Sequence, residues 1–411
     1  MSSDRTLALG GAAALLALFV ACAGEAPGPA TPPGTVDCTP CDDPSYRMTS
    51  NGSDFCGHRC GDAGATTTTT VSDAGIPLDA APKPEPLAPL PPPKPATTAL
   101  ASAANDDVDK ELTLGDTAFE ANDLALAKKH YDAARKLDKT NKRPGPIVGQ
   151  ARVRVALTNV PYDVGAGKGN AELAAAAKDL KTAVALDDSY GPAHAELGRT
   201  LLLLGDAEGA LAELRKGATI LKDDAEVQSS LGGALLAAGK KEDALGPLVR
   251  AAQIDSGRSE RHGNLGTVML LLGRVGDAVK EFELQARLAD GDARVHADLG
   301  AALLFVPDIP RAVRELERAV QLDGSRASYH TTLGTAYKQS GRNPDALREY
   351  QEALKRDDKF VSALIGVATV LALDPKTRGE ARNALKKAKS IDPTDPRIDA
   401  NLQELDELGN L

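Results

Sequence analysis

The sequence predicts an all-α protein in which about eight helical repeats stack into a solenoid, preceded by a disordered, proline-rich linker. Three periodic features predict this fold. The dipeptide Leu-Gly recurs every 34 residues, a small residue follows each glycine by twelve positions, and a large apolar residue follows it by sixteen. The dipeptides are Leu197-Gly198, Leu231-Gly232, Leu265-Gly266, Leu299-Gly300 and Leu333-Gly334. The small residues are Ala210, Ala244, Ala278, Ala312 and Ala346. The large apolar residues are Leu214, Leu248, Phe282, Leu316 and Tyr350. A period of this length is typical of a solenoid, whose units bury apolar faces against their neighbours.

The residue types at these positions indicate how the helices pack. Aromatic residues make up only 3% of the chain and tryptophan is absent, so the core must consist of Ala, Leu and Val, which favours helices. A glycine or alanine at a helix crossing lets two backbones approach closely. The large residue sixteen positions later fills the space beside that crossing.

The pattern resembles the tetratricopeptide repeat family over about residues 108–397. The match is closest in residues 331–358, where Leu333-Gly334, Tyr337, Gly341, Ala346, Tyr350 and Ala353 all fall on the family pattern. The resemblance implies a right-handed superhelix that binds other proteins in a groove lined by the first helix of each repeat. Carried onto this sequence, the candidate groove residues are Arg199, Leu202, Leu236, Asn264, Leu270, Leu304 and Lys338. The leucines among them either pack on their own second helices or line a groove for an apolar segment.

Two insertions interrupt the repeats, and a final helix closes them. The second repeat carries extra residues at about 159–172, and the eighth carries a few at about 373–378. Insertions in repeat arrays map to loops that often confer specificity. Residues 398–411 place Ile398, Leu402, Leu405 and Leu408 at helical spacing, which predicts the capping helix that the end of a solenoid requires.

The N-terminus reads as an export signal and a membrane tether. Residues 1–21 hold an apolar run that is short for a membrane span but fits a signal peptide. Phe19-Val20-Ala21-Cys22 resembles a bacterial lipoprotein signal, which implies lipidation of Cys22, a tether over residues 22–37 and anchoring in the bilayer through N-terminal acyl chains. The resemblance implies an outer-membrane lipoprotein of the bacterial cell envelope that faces the periplasm. A plain secretory peptide or an uncleaved anchor is the alternative.

A cysteine-rich module over residues 38–60 follows, and then the linker over residues 61–107. Cys38, Cys41, Cys56 and Cys60 are expected to form structural disulfides of unknown pairing in an oxidising compartment. The alternatives are zinc binding and redox chemistry, in which case this module would be the active part and the repeats would only dock it. The linker is rich in proline and threonine, which excludes regular structure.

Composition and motifs exclude several other functions. The formal charge is −10, and residues 1–107 contribute −7 of it with 12 acidic and 5 basic residues, so the array lacks the basic footprint of a nucleic-acid binder. No catalytic constellation, cofactor motif or metal site stands out. The G-A-G-K-G run at 165–169 lacks the Ser/Thr and strand context of a P-loop, which favours a flexible loop. Four histidines share one repeat position, and packing is favoured over a pH-sensitive ladder: His194, His262, His296 and His330.

Overall fold

The structure, a computed structural model, describes residues 48–50, 53–55, 98–102, 104, 106–161 and 164–409. Contacts divide the chain into two units, and the repeat array belongs to one of them. The other contains a short antiparallel hairpin of β1 (Met48–Ser50) and β2 (Ser53–Phe55), in which Met48 lies opposite Phe55.

The array consists of helical pairs that follow one another along the chain. Its helices are α1 Asp107–Glu120, α2 Leu124–Leu137, α3 Pro144–Leu157, α4 Ala171–Leu186, α5 Gly191–Leu204, α6 Ala207–Ile220, α7 Ala225–Ala237, α8 Lys241–Ile254, α9 Ser259–Leu271, α10 Val275–Leu288, α11 Ala293–Leu303, α12 Ile309–Leu322, α13 Ala327–Gln339, α14 Asn343–Arg356, α15 Val361–Leu371, α16 Arg378–Ile391 and α17 Pro396–Gly409. Odd-numbered helices up to α15 are the first helices of eight repeats, and α17 is the cap. The predicted all-α solenoid is confirmed.

Local sequence sets where these helices begin and end. Asp123, Asp206 and Asp308 each accept a hydrogen bond from a backbone amide in the first turn of the helix that follows, so they act as N-caps. Gly205 ends α5 with a φ of 84°, a left-handed conformation that favours glycine. The short turns that result hold each pair of helices antiparallel.

The glycine of each Leu-Gly pair lies against the large residue sixteen positions later. A Cβ added to Gly198 would lie 2.5 Å from Leu214 Cγ, and one added to Gly334 would lie 2.8 Å from Tyr350 Cδ1. Tyr350 also contacts Gly366 of the next repeat, where a Cβ would lie 2.5 Å from its ring. The large residue therefore fills the crossing within one repeat and reaches the first helix of the next, as the spacing predicts.

A row of alternating buried charges links the first helices of the first five repeats. Arg152 Nη1 lies 2.9 Å from Asp116 Oδ1, and its Nη2 lies 2.7 Å from Glu196 Oε1. We call the whole row the charge ladder; in order it comprises Asp116, Arg152, Glu196, Arg199, Glu226 and Arg261. Burial alone would raise the pKa of Glu196, but the charges of Arg199 and Arg152 outweigh it and lower this pKa to about 2.

The linker ends earlier than the sequence predicts. Residues 98–102 were assigned to the disordered linker, yet Thr98 and Leu100 are fully buried against the first repeats. The cap begins at Pro396 instead of residue 398, since Asp395 accepts a hydrogen bond from the Arg397 amide in its first turn. Part of the predicted linker is thus a packed element of the array.

Overpacking one crossing tests the repeat geometry. Ala312→Leu should destabilise the protein by about 1–3 kcal/mol, because Ala312 is fully buried where α11 and α12 cross. The measurement is urea unfolding followed by circular dichroism at 222 nm. Ala174→Leu, at an exposed position of α4, is the matched control and should stay within about 0.5 kcal/mol of the wild type. Equal stability of the two variants would contradict the packing described above.

Neutralising the centre of the charge ladder should produce a pH-dependent loss. Glu196→Gln at pH 7 should cost about 3–5 kcal/mol, because two buried guanidinium groups lose their shared carboxylate. A lowered carboxyl pKa contributes stability above the unfolded value of about 4.3 and loses it as the pH falls towards 2. The difference in melting temperature between wild type and variant should therefore shrink between about pH 4 and pH 2.

The control for this pH series is Glu208→Gln, at an exposed position of α6. Its melting temperature should stay close to that of the wild type at every pH. A Glu196→Gln deficit that is as large at pH 2 as at pH 7 would contradict the ladder's electrostatic role.

Candidate functional site

In the middle of the array, the first helices carry small, buried residues that include Ala195, Ser229 and Ala297. Small residues allow neighbouring helices to approach closely. Because these side chains are buried, they are not accessible to a ligand.

Most of the predicted groove residues are occupied by internal contacts. Leu202 and Leu270 are buried in the hydrophobic core, and Leu236 and Leu304 are half-buried against it. For these leucines the structure favours packing over a groove for an apolar segment, because the neighbouring helices cover them.

Of the three polar candidates, two are buried and one is exposed. Arg199 belongs to the charge ladder, and Asn264 Nδ2 donates to Ser229 Oγ at 3.1 Å, so both are buried among internal partners. Lys338 alone of the seven candidates is exposed. It lies at the C-terminal end of the array.

A cavity of about 840 Å³ lies at this end, between α13, α15 and the capping helix α17. We call it the end cavity. Its α13 wall carries Ser328, Thr331, Thr332, Thr335 and Lys338; its α15 wall carries Ser362, Ile365, Gly366 and Thr369; its α17 wall carries Arg397, Asn401 and Glu404; and Tyr350, Leu385 and Leu405 are also in the lining. The cavity thus combines an apolar base with many hydroxyl groups and a few charges.

The threonine hydroxyl groups of the end cavity are available to a ligand as hydrogen-bond acceptors. Thr331 and Thr332 each donate their hydroxyl proton to the carbonyl four residues earlier, at 2.9 Å. Thr369 donates to Gly366 O at 2.9 Å. A hydroxyl has a single proton, so once it is used within the helix the oxygen can only accept. These walls therefore suit a ligand that brings hydrogen-bond donors.

Arg397 and Lys338, two cationic side chains of the end cavity, differ in whether a carboxylate lies beside them. Arg397 forms an ion pair with Asp395, and its Nη2 also lies 3.2 Å from Ser362 Oγ. Lys338 Nζ has no carboxylate within 4 Å among the residues the structure describes. Partial desolvation of its side chain lowers the pKa of Lys338, while the negative charge of Glu404 acts in the opposite direction. Arg378, a third cation of the lining, donates to the carbonyls of Ala372 and Leu408. Lys338 is thus a charged group that a ligand can pair with.

The inserted loop of the second repeat does not form an anion site. The amides of Gly165 and Gly167 donate to Leu202 O and Leu203 O, both at 2.9 Å, at the C-terminal end of α5. These amides are thereby occupied, and a helix C-terminus repels anions. The segment is a loop, as the sequence favours, and two of its glycine amides satisfy carbonyls at the end of α5.

The four histidines at the shared repeat position pack as the sequence favours, and each also lies within hydrogen-bond distance of a glutamate. Each Nδ1 lies 2.6–2.9 Å from a glutamate nineteen residues later, on the second helix of its repeat. The partners are Glu213, Glu281, Glu315 and Glu349. In the first repeat the same pair is reversed, with His130 on α2 and Glu111 on α1. The recurrence of these glutamates at multiples of 34 residues is a signal that the sequence contained and the prediction missed.

The remaining predicted sites lie outside the described residues. These are Cys22 and the module cysteines Cys38, Cys41, Cys56 and Cys60. Among the described residues, no group of His, Cys, Asp and Glu is arranged to hold a metal ion, and none of the helices is long and apolar enough to cross a bilayer.

Comparisons with known proteins agree with this geometry. The tetratricopeptide repeat family model matches residues 331–396, and the bacterial transcriptional activator domain model matches residues 285–359. Both matches fall within the array and overlap in its seventh repeat. A search of the curated proteins finds no match.

Several solved structures are similar to the array. The APC/C hetero-tetramer Cut9-Hcn1 is 17% identical over 72% of this chain and 55% of that chain, with a TM-score of 0.52. YrrB, described as a TPR protein with an unusual peptide-binding site, is 21% identical over 46% of this chain and 97% of its own, with a TM-score of 0.37. PilF of Pseudomonas aeruginosa is 18% identical over 53% of this chain and 98% of its own, with a TM-score of 0.45.

At these identities the likeness concerns the fold alone, and the Cut9-Hcn1 structure supports it over most of the array. The family match covers the last two repeats, and the glycine contacts repeat the same packing through the rest. Residues 331–396 therefore match the tetratricopeptide repeat family, and the array as a whole has the fold of a tetratricopeptide repeat solenoid.

Proposed function

We propose that the protein is a membrane-anchored scaffold or adaptor lipoprotein that binds other proteins through its repeat array. It would face the periplasm from the outer membrane of a bacterial envelope. The binding half of this proposal is supported by the end cavity, whose size and lining suit a segment of polypeptide. The anchoring half is supported by the sequence Phe19-Val20-Ala21-Cys22.

The lining of the end cavity defines what such a segment must offer. Backbone amides or hydroxyl groups of the partner would donate to Thr331, Thr332 and Thr369, whose own protons are used within their helices. An apolar side chain would lie against the base, and an acidic side chain would pair with Lys338. The partner segment is therefore an extended or helical stretch that carries at least one carboxylate.

Charge reversal in the end cavity tests this binding mode. A photo-crosslinking residue placed at Ala400, which lines the cavity from α17, should capture a defined partner in intact cells. Lys338→Glu should reduce the yield of that product at least tenfold, because the partner carboxylate would then meet a like charge. The yield is read by quantitative mass spectrometry.

The matched control is Lys181→Glu, an equal charge change at an exposed position of α4. It should leave the yield unchanged. A yield that is also unchanged by Lys338→Glu would place the partner elsewhere on the array.

Removing the proposed lipid attachment site tests the anchoring half. Cys22→Ser should move the protein from the membrane fraction to the soluble fraction of the envelope and abolish its labelling by radioactive palmitate, because a serine hydroxyl does not replace the thiol. Ala23→Ser, which keeps Cys22, should remain in the membrane fraction. Unchanged membrane retention of Cys22→Ser would refute lipidation.

A further inference from the structure

The segment of residues 98–102 packs against the first repeats of the array. Thr98 and Leu100 are fully buried, whereas Ala99 between them is exposed. Such an alternation of buried and exposed residues places one face of the segment on the surface beneath it. Its hydrogen-bond partners include Asp116 on α1, Arg152 on α3 and Tyr190, which directly precedes α5.

Main-chain hydrogen bonds hold this segment at both of its buried residues. The Leu100 amide donates to Asp116 Oδ2 at 2.8 Å, and Tyr190 Oη donates to Leu100 O at 2.5 Å. Arg152 Nη2 donates to Thr98 O at 2.8 Å. Side chains of two successive first helices, and of the residue that directly precedes the third, thus recognise the backbone of one short peptide.

The surface under the segment has the features of a built site. Leu100 belongs to the hydrophobic core, so its side chain fills a pocket instead of resting on a surface. Gly145 leaves room for the backbone, since a Cβ there would lie 3.2 Å from Leu100 O. Asp116 and Arg152 are held by the charge ladder and are therefore fixed before any peptide arrives.

We propose that residues 98–102 are an intramolecular ligand, and that the surface beneath them is a second peptide-binding site of the array. Its ligand class is an extended polypeptide segment that carries a leucine-sized side chain. The carbonyl of that residue and the carbonyl two residues earlier both accept hydrogen bonds from the site. Only four residues join the segment to α1, so its effective concentration is high and it blocks the site against partner segments. This site is separate from the end cavity and does not depend on the function proposed for it.

A blocking ligand must leave its site without unfolding the protein. Hydrogen–deuterium exchange should therefore show the Leu100 amide exchanging at least tenfold faster than the core amides of α1 and α3. Exchange of all these amides at one common rate would mean that the segment opens only with global unfolding, and would overturn the proposal.

Release of the segment should open the site to a peptide supplied in trans. The probe is an N-acetylated peptide of residues 94–106, and its binding is measured by fluorescence polarisation. Leu100→Asp in the full chain should bind this peptide at least tenfold more tightly than the wild-type chain does. Ala99→Asp, the same charge at the exposed neighbouring position, should behave as the wild type.

Specificity and folding are controlled by two further variants. A peptide that carries Leu100→Asp should bind none of the chains. Leu100→Ala in the full chain shortens the fully buried side chain of the internal segment, leaves the site residues unchanged and should increase peptide binding several-fold; it decides the question if Leu100→Asp loses its helical circular dichroism. Equal binding of the unmodified peptide to the wild type and to the folded variants, or binding to none of them, would overturn the proposal.

Discussion

The rest of the array depends on one contact, in which the glycine of each first helix meets a large side chain of the second helix. In the third repeat a Cβ on Gly198 would come within 2.5 Å of Leu214, and in the first repeat Gly115 lies equally close to Tyr131. This closeness brings successive first helices together as well, because Tyr131 and Tyr350 each contact the glycine of the following repeat. At these two points one side chain therefore packs two successive repeats together.

The sequence predicted this contact because glycine and its partner recur at a fixed spacing within a single repeat. The open part of the array could not be predicted in the same way. Leu202 and Lys338 both stood as groove candidates, yet one is buried and the other lines the end cavity. Whether such a residue is buried or accessible depends on the neighbouring repeats and on the capping helix. The pattern within a single repeat contains no information about those neighbours.

The packed segment of residues 98–102 was missed for a related reason. Four of its five residues are threonine, alanine or serine, which together indicate no particular element, and it directly follows a proline-rich tract. Its hydrogen-bond partners Asp116, Arg152 and Tyr190 lie 16, 54 and 90 residues away along the chain. Order that comes from such distant partners leaves no local signal, so composition alone indicated a disordered linker.

The charge ladder has a consequence for how a chain of near-identical units finds its correct pairing. Repeats that resemble one another can associate out of register during folding, by a shift of one whole unit. Here such a shift would bring Ser230, the residue 34 positions after Glu196, to the place where Glu196 meets Arg152. A fully buried guanidinium would then lose its carboxylate, at a cost of about 3–5 kcal/mol. Because each rung carries a different pair of charges, the ladder makes the first five repeats non-interchangeable, although their hydrophobic cores are almost alike.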